Sequence, residues 1–65
     1  MRFIEGRRYW SDDKYEIFIV KRFDNTGLIR VEVGFGFAIN YKIRKDTDGR
    51  EYIKAKGRIY PAHDW

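Results

Sequence analysis

The stretch 29–43, Ile-Arg-Val-Glu-Val-Gly-Phe-Gly-Phe-Ala-Ile-Asn-Tyr-Lys-Ile, does most to limit what this chain can fold into. Folded over Gly34-Phe35-Gly36, it sets Val33 against Phe37, Val31 against Ile39 and Ile29 against Tyr41. Glu32 then faces Ala38, and Arg30 faces Asn40. The large apolar side chains share one side of the sheet and the polar ones the other. A two-residue loop would slide Arg30 against Ile39 and mix the faces, because side chains alternate with period two. Gly36 falls at the third loop position, where the chain closes through a left-handed residue and glycine is favoured. The stretch is therefore expected to be a hairpin.

Two more loops of the same kind flank it. Asp24-Asn25-Thr26-Gly27 ends a run, 15–23, rich in β-branched and aromatic residues, and sets Phe23 opposite Ile29, Lys21 opposite Val31 and Ile19 opposite Val33. Asp46-Thr47-Asp48-Gly49 sets Arg44 against Tyr52, Lys45 against Glu51 and Ile43 against Ile53. Every odd position from Ile17 to Ala55 then shares one face. The predicted inner face is Ile17, Ile19, Phe23, Ile29, Val31, Val33, Phe37, Ile39, Tyr41, Ile43, Ile53 and Ala55, with Lys21 as the one misfit. Short strands at 7–10 and 57–60 remain to cover the open side, and Pro61, lacking an N–H, is expected to end the pairing. The fold class predicted is all-β. A small antiparallel meander closes wholly or partly into an SH3-like or OB-like barrel, as a single domain spanning 1–65.

A chain of 65 residues is near the size where one core becomes marginal, and without cysteine no disulfide or thiolate metal site can brace it. Its 18% aromatic content supplies the bulk a thin β core needs. No apolar run approaches the length of a membrane span, and no leader precedes a cleavage site, so a soluble cytoplasmic protein with no membrane partner is expected. The net charge of +4 leans toward anionic partners.

Catalysis finds little support in these residues. His63 in the tail and Ser11 are the sole members of their types and lie far apart in sequence, with nothing to hold them together as base and nucleophile. Asp46-Thr47-Asp48-Gly49 opens like a calcium loop but lacks the later ligands, and a β-turn accounts for all four residues. Asp12-Asp13 reads as a solvated loop. No enzyme activity, cofactor or metal is expected.

Binding has more to offer. On the outer face of the meander Arg22, Arg30, Asn40 and Lys56 form one row, Lys42 faces Lys54 in the next, and Arg44 faces Tyr52 in a third. Like charges directly opposite on a sheet repel, so a chain that repeats them keeps a positive face. An ordinary solvated sheet, with lysines blunting its edges, explains the same residues. Positive, aromatic-bearing barrel faces also hold single-stranded nucleic acid. Gly34-Phe35-Gly36-Phe37 resembles the aromatic RNA-binding motif of RRM and cold-shock folds, with Val33 in place of its basic residue and Asn40 in place of its last aromatic; Glu16-Ile17-Phe18-Ile19-Val20 resembles the companion motif. An RRM needs two helices for which this chain has no room, and a cold-shock domain places the companion after the Gly-Phe pair. Phe35, at a loop tip with no strand opposite, is expected to be a partner-binding anchor or to fold back onto Trp10 or Tyr60.

Across the whole chain, Gly6-x-x-Tyr9, Val20-Lys21-Arg22, Tyr41-Lys42-Ile43, Asp48-Gly49-x-Glu51-Tyr52-Ile53 and Ala62-x-Asp64 resemble the small, mostly uncharacterised proteins of phages and mobile elements in gut Gram-positive bacteria. The resemblance implies a mobile-element origin, and with it a non-catalytic, anti-CRISPR-like inhibitor of a host defence protein or its nucleic-acid complex. The alternative is a small barrel binding single-stranded nucleic acid directly. Under either reading the partner-binding residues are Phe35, Arg22, Arg30, Lys42, Arg44, Tyr52, Lys54 and Lys56, and an open sheet edge is available for a homodimer.

Overall fold

The computed structural model describes residues 1–34 and 36–63. The order along the chain is β1 (Arg8–Trp10), β2 (Glu16–Phe23), β3 (Leu28–Val33), β4 (Ala38–Lys42), β5 (Arg44–Lys45), β6 (Glu51–Ala55) and β7 (Arg58–Pro61). They make two antiparallel sheets, β1-β2-β3-β4 and β5-β6-β7. The described residues contain no helix, so none long and apolar enough to cross a membrane.

The central hairpin has the register its alternation dictates: Glu32 pairs with Ala38, Val31 with Ile39, Arg30 with Asn40 and Ile29 with Tyr41. The third loop also closes as expected, with Arg44 opposite Tyr52 and Lys45 opposite Glu51. Gly36 and Gly49 take φ values of 80° and 79°, the left-handed geometry both loops require.

The first loop is different. It spends four residues rather than three, so Phe23 meets Leu28, and Arg22 meets Ile29. A bulge between Ile19 and Lys21 then restores the apolar phase, setting Ile19 against Val31 and Ile17 against Val33. A bulge inserts one residue and so exchanges the faces beyond it. Lys21 thereby leaves the inner face and reaches over the Phe23 ring, at 5.9 Å from its centroid. Arg22, expected outside, turns inward.

The four-stranded meander expected over 17–55 is divided. Ile43 still donates its amide to the Gly27 carbonyl at 2.8 Å, closing the β3–β4 ladder, and the next residue begins pairing with β6. Ile53 pairs with Tyr60 of β7, and Lys54 with Ile59. A flat meander would leave its apolar face to water. Turning β6 and β7 over that face buries Ile53, Ala55, Tyr60 and Ala62 against Ile17, Ile19, Ile29, Val31 and Val33. The two sheets are not joined into a closed barrel. Two residues of the predicted inner face, Phe37 and Ile39, remain exposed beside the β3–β4 turn, whereas Tyr41 farther along β4 packs against the core; Phe23, Tyr41 and Ile43 are half-buried. Pro61 does not end the pairing as expected: it faces Tyr52, and Ala62 beyond it donates its amide to the Glu51 carbonyl at 2.9 Å.

The N-terminal segment caps the sandwich. Phe3 is fully buried, with its ring edge-on to Tyr9 at 4.9 Å and 86°. The Tyr9 hydroxyl accepts from the Ile4 amide at 3.0 Å. Glu51 closes the arrangement: its Oε1 accepts from the Phe3 amide at 2.9 Å and from Arg22 Nη1 at 2.6 Å, and its Oε2 from Arg22 Nη2 at 2.9 Å. Arg22 Nη1 also donates to the Phe3 carbonyl, and Nε to Asp24 Oδ1.

Candidate binding cleft

A cleft of about 700 Å³ opens at the end of the sandwich where the β3–β4 turn approaches the β6–β7 turn. Its floor is Ile17, Val33 and Tyr60, and its walls include Arg8, Tyr15, Phe18, Lys56 and Arg58 with Glu16 and Glu32.

The loop between β1 and β2 builds one wall. Ser11 is buried, its Oγ accepts from the Tyr15 amide at 3.1 Å, and its hydroxyl donates to Asp13 Oδ1. Asp13 thus fixed accepts from Arg58 Nε at 2.9 Å, across 45 residues of chain. The Ser11 hydroxyl, followed by Arg58, holds the Asp13 carboxyl below the usual aspartate value, and Asp13 in turn raises the Arg58 guanidinium. The same guanidinium lies over the Tyr15 ring at 3.5 Å from its centroid, and Arg8 lies over Phe18 at 5.3 Å. Cations seated on aromatic faces are held by the ring quadrupole and keep their charge at the rim. At the base, burial pushes the Tyr60 phenol upward.

The opposite wall is a two-residue hairpin, Lys56-Gly57, joining Ala55 to Arg58. Both residues have positive φ, 52° and 77°, as the turn matching strand twist requires. Lysine in that conformation carries a steric cost that asparagine or glycine largely escapes. Strain of this kind at the rim of a cleft is often associated with function.

The predicted basic row is not assembled. Arg22 is withdrawn into its pair with Glu51. Arg30 lies on the outer face, where its Nε donates to Asn40 Oδ1 at 3.1 Å. Lys42 pairs with Leu28 on one sheet and Lys54 with Ile59 on the other, so the two lysines are not cross-strand neighbours. Arg44 does face Tyr52, but in the three-stranded sheet. Among the described residues, Lys56 is the one predicted residue in the cleft, and it sits in a turn rather than in a row with Arg22. Phe35 lies outside the described residues, although Gly34 and Gly36 on either side of it line the cleft.

Arg8, Tyr15, Phe18 and Arg58 were missed because cation–aromatic stacking joins distant segments. Lys-Gly before Arg58 was the one available signal, since a two-residue turn there would have set Arg58 against Ala55. Among the described residues, no group of three histidine or acidic side chains could hold a metal ion. No protein-family model, no curated protein and no solved structure matches the chain.

Proposed function

We propose that this is a non-catalytic binding module that docks on a protein partner through the cleft between the β3–β4 and β6–β7 turns. The observation that carries the reading is the mixture of charge along the walls. Arg8, Lys56 and Arg58 share the lining with Glu16 and Glu32 around an apolar floor, and Arg58 is paired with Asp13. A track for phosphates would be uniformly basic, whereas paired charges around apolar and aromatic anchors suit a protein surface. The resemblance of the residue spacing to phage and mobile-element proteins supports a host defence protein as the partner, met in the bacterial cytoplasm. On this reading the sheets form an SH3-like, or OB-like, barrel left open between β4 and β6, whose two hairpin turns present the contact surface.

A second reading is favoured by one feature: Tyr15 is exposed and carries the stacked Arg58, a platform of the sort on which unpaired bases lie. The two separate in one experiment. The immobilised protein and its Arg58→Ala and Lys56→Ala variants are exposed to host lysate with and without nuclease. A protein retained by the wild type despite nuclease, and lost from both variants, is the expected result. Retention abolished by nuclease, together with oligonucleotide binding that falls steeply with salt, would replace the first reading by the second.

A further inference from the structure

We propose that two copies of the chain pair through the open edge of β4, antiparallel, about a two-fold axis at Ala38. Four observations carry this, and none depends on what fills the cleft.

The first is which backbone groups are free. Val33 donates its amide to the Phe37 carbonyl at 3.0 Å, and Ile43 donates to Gly27 at 2.8 Å. In an antiparallel ladder the bonded positions alternate, so odd residues of this strand bond β3. Ala38, Asn40 and Lys42 therefore direct their N–H and C=O groups away from β3, and β4 ends the order of its sheet.

The second is charge. Edge strands are normally blunted by charged residues or proline. The other outer strands have these: Arg8 in β1, Arg44 and Lys45 in β5, Arg58 and Pro61 in β7. In β4 the one charge, Lys42, lies at the far end; in a chain that is 37% charged, residues 36–40 are Gly-Phe-Ala-Ile-Asn, with neither charge nor proline.

The third is the apolar surface of the same segment. Phe37 is 68% exposed and Ile39 39%, on the face that elsewhere in the sheet is covered. Pairing about Ala38 sets Phe37 of each copy beside Ile39 of the other.

The fourth fixes the axis. Hydrogen-bond phase requires even residues to pair with even ones, which allows the two-fold at an even residue through a bonded pair or at an odd one through a non-bonded pair. An axis at Ile39 or Tyr41 carries Gly36 to Lys42 or Asp46 of the other copy, and the turn beyond it onto the stretch that β6 already pairs. An axis at Lys42 sets Lys42 against itself. An axis at Asn40 drives the hairpin tip of one copy toward β6 of the other, because β6 takes up this same edge from Arg44 onward. An axis at Ala38 stops each tip opposite Asn40, short of β6. The small side chain of Ala38 then faces only its own copy.

A residue on a two-fold axis meets itself, and this gives the test. Ala38 is exposed, so Ala38→Asp and Ala38→Lys are compatible with the folded monomer; near-ultraviolet circular dichroism and melting of dilute samples verify this. Sedimentation equilibrium is run over a wide concentration range on the wild type, each variant and their equimolar mixture. The wild type is expected to show a monomer–dimer equilibrium. Each variant alone is expected to dimerise at least about tenfold more weakly, because like charges meet. The mixture should associate at least as tightly as the wild type. A wild type that stays monomeric up to near-millimolar concentration overturns the proposal. So do folded variants that dimerise unchanged, or a mixture no tighter than its components.

Discussion

Glu51→Ala should be the most damaging single change in the outer part of this protein. It removes the acceptor for the Phe3 amide and for both terminal nitrogens of Arg22, whose side chain is only 10% exposed. Asp24 remains beside Arg22 Nε, but it is largely in water and cannot replace a bidentate partner. Removing one member of a buried ion pair typically costs about 3–5 kcal/mol, because the survivor stays buried without compensation. A domain of this length is expected to have roughly 3–10 kcal/mol of total stability. At about 4–8 °C per kcal/mol for so small a domain, the melting temperature should fall by at least about 12 °C. Thermal melts and urea titrations followed by circular dichroism measure this directly. A companion double variant, Arg22→Met with Glu51→Leu, tests the cause. Replacing both charges leaves no orphan, so it should be more stable than Glu51→Ala. If Glu51→Ala melts within about 3 °C of the wild type, or if the two single losses simply add in the double variant, the pair does not hold the sheets together in the way described.

The same carboxylate sets a pH dependence. The Arg22 hydrogen bond, and after it the Phe3 amide, holds the Glu51 carboxyl below its ordinary 4.5, and Asp13 and Asp46 are likewise held below 3.8. Such groups stabilise the fold in full above their unfolded values and lose that contribution as pH falls through the lowered folded ones. The urea midpoint should therefore be level down to about pH 5 and drop below it; a midpoint unchanged or higher at pH near 3 would contradict this. Lys56→Asn, which places a residue tolerant of positive φ in the Lys56-Gly57 turn, should raise stability by about 0.5–1 kcal/mol, seen as a higher urea midpoint. Phe35→Ala should weaken partner retention by more than about tenfold with little change in melting temperature if Phe35 is an anchor. A lowered melting temperature with unchanged retention would make it a packing residue instead.

The sequence by itself determined the two hairpins centred on Gly34-Phe35-Gly36 and on the 46–49 loop, and with them the all-β class. Each register depends on a loop of fixed length and on a side-chain period of two, both properties of a dozen adjacent residues. Only the tertiary structure decided what happened to Arg22. Local alternation put it outside with Arg30. A bulge at the middle of β2 reverses the faces, and its inward guanidinium is stabilised by Glu51, 29 residues away, which is itself held by the amide of Phe3. The division of the meander at Ile43 is of the same kind. Ile53 and Ala55 fit a fourth strand beside β4 as well as a second layer above it, and their pattern alone cannot distinguish the two. The layer is preferred because it removes most of both apolar faces from water. The cleft follows from that choice, since it brings Arg58 to Tyr15 and Asp13 across 45 residues of chain. Local periodicity specifies which residues share a face; which face is then covered, and by what, depends on contacts that no short stretch of sequence contains.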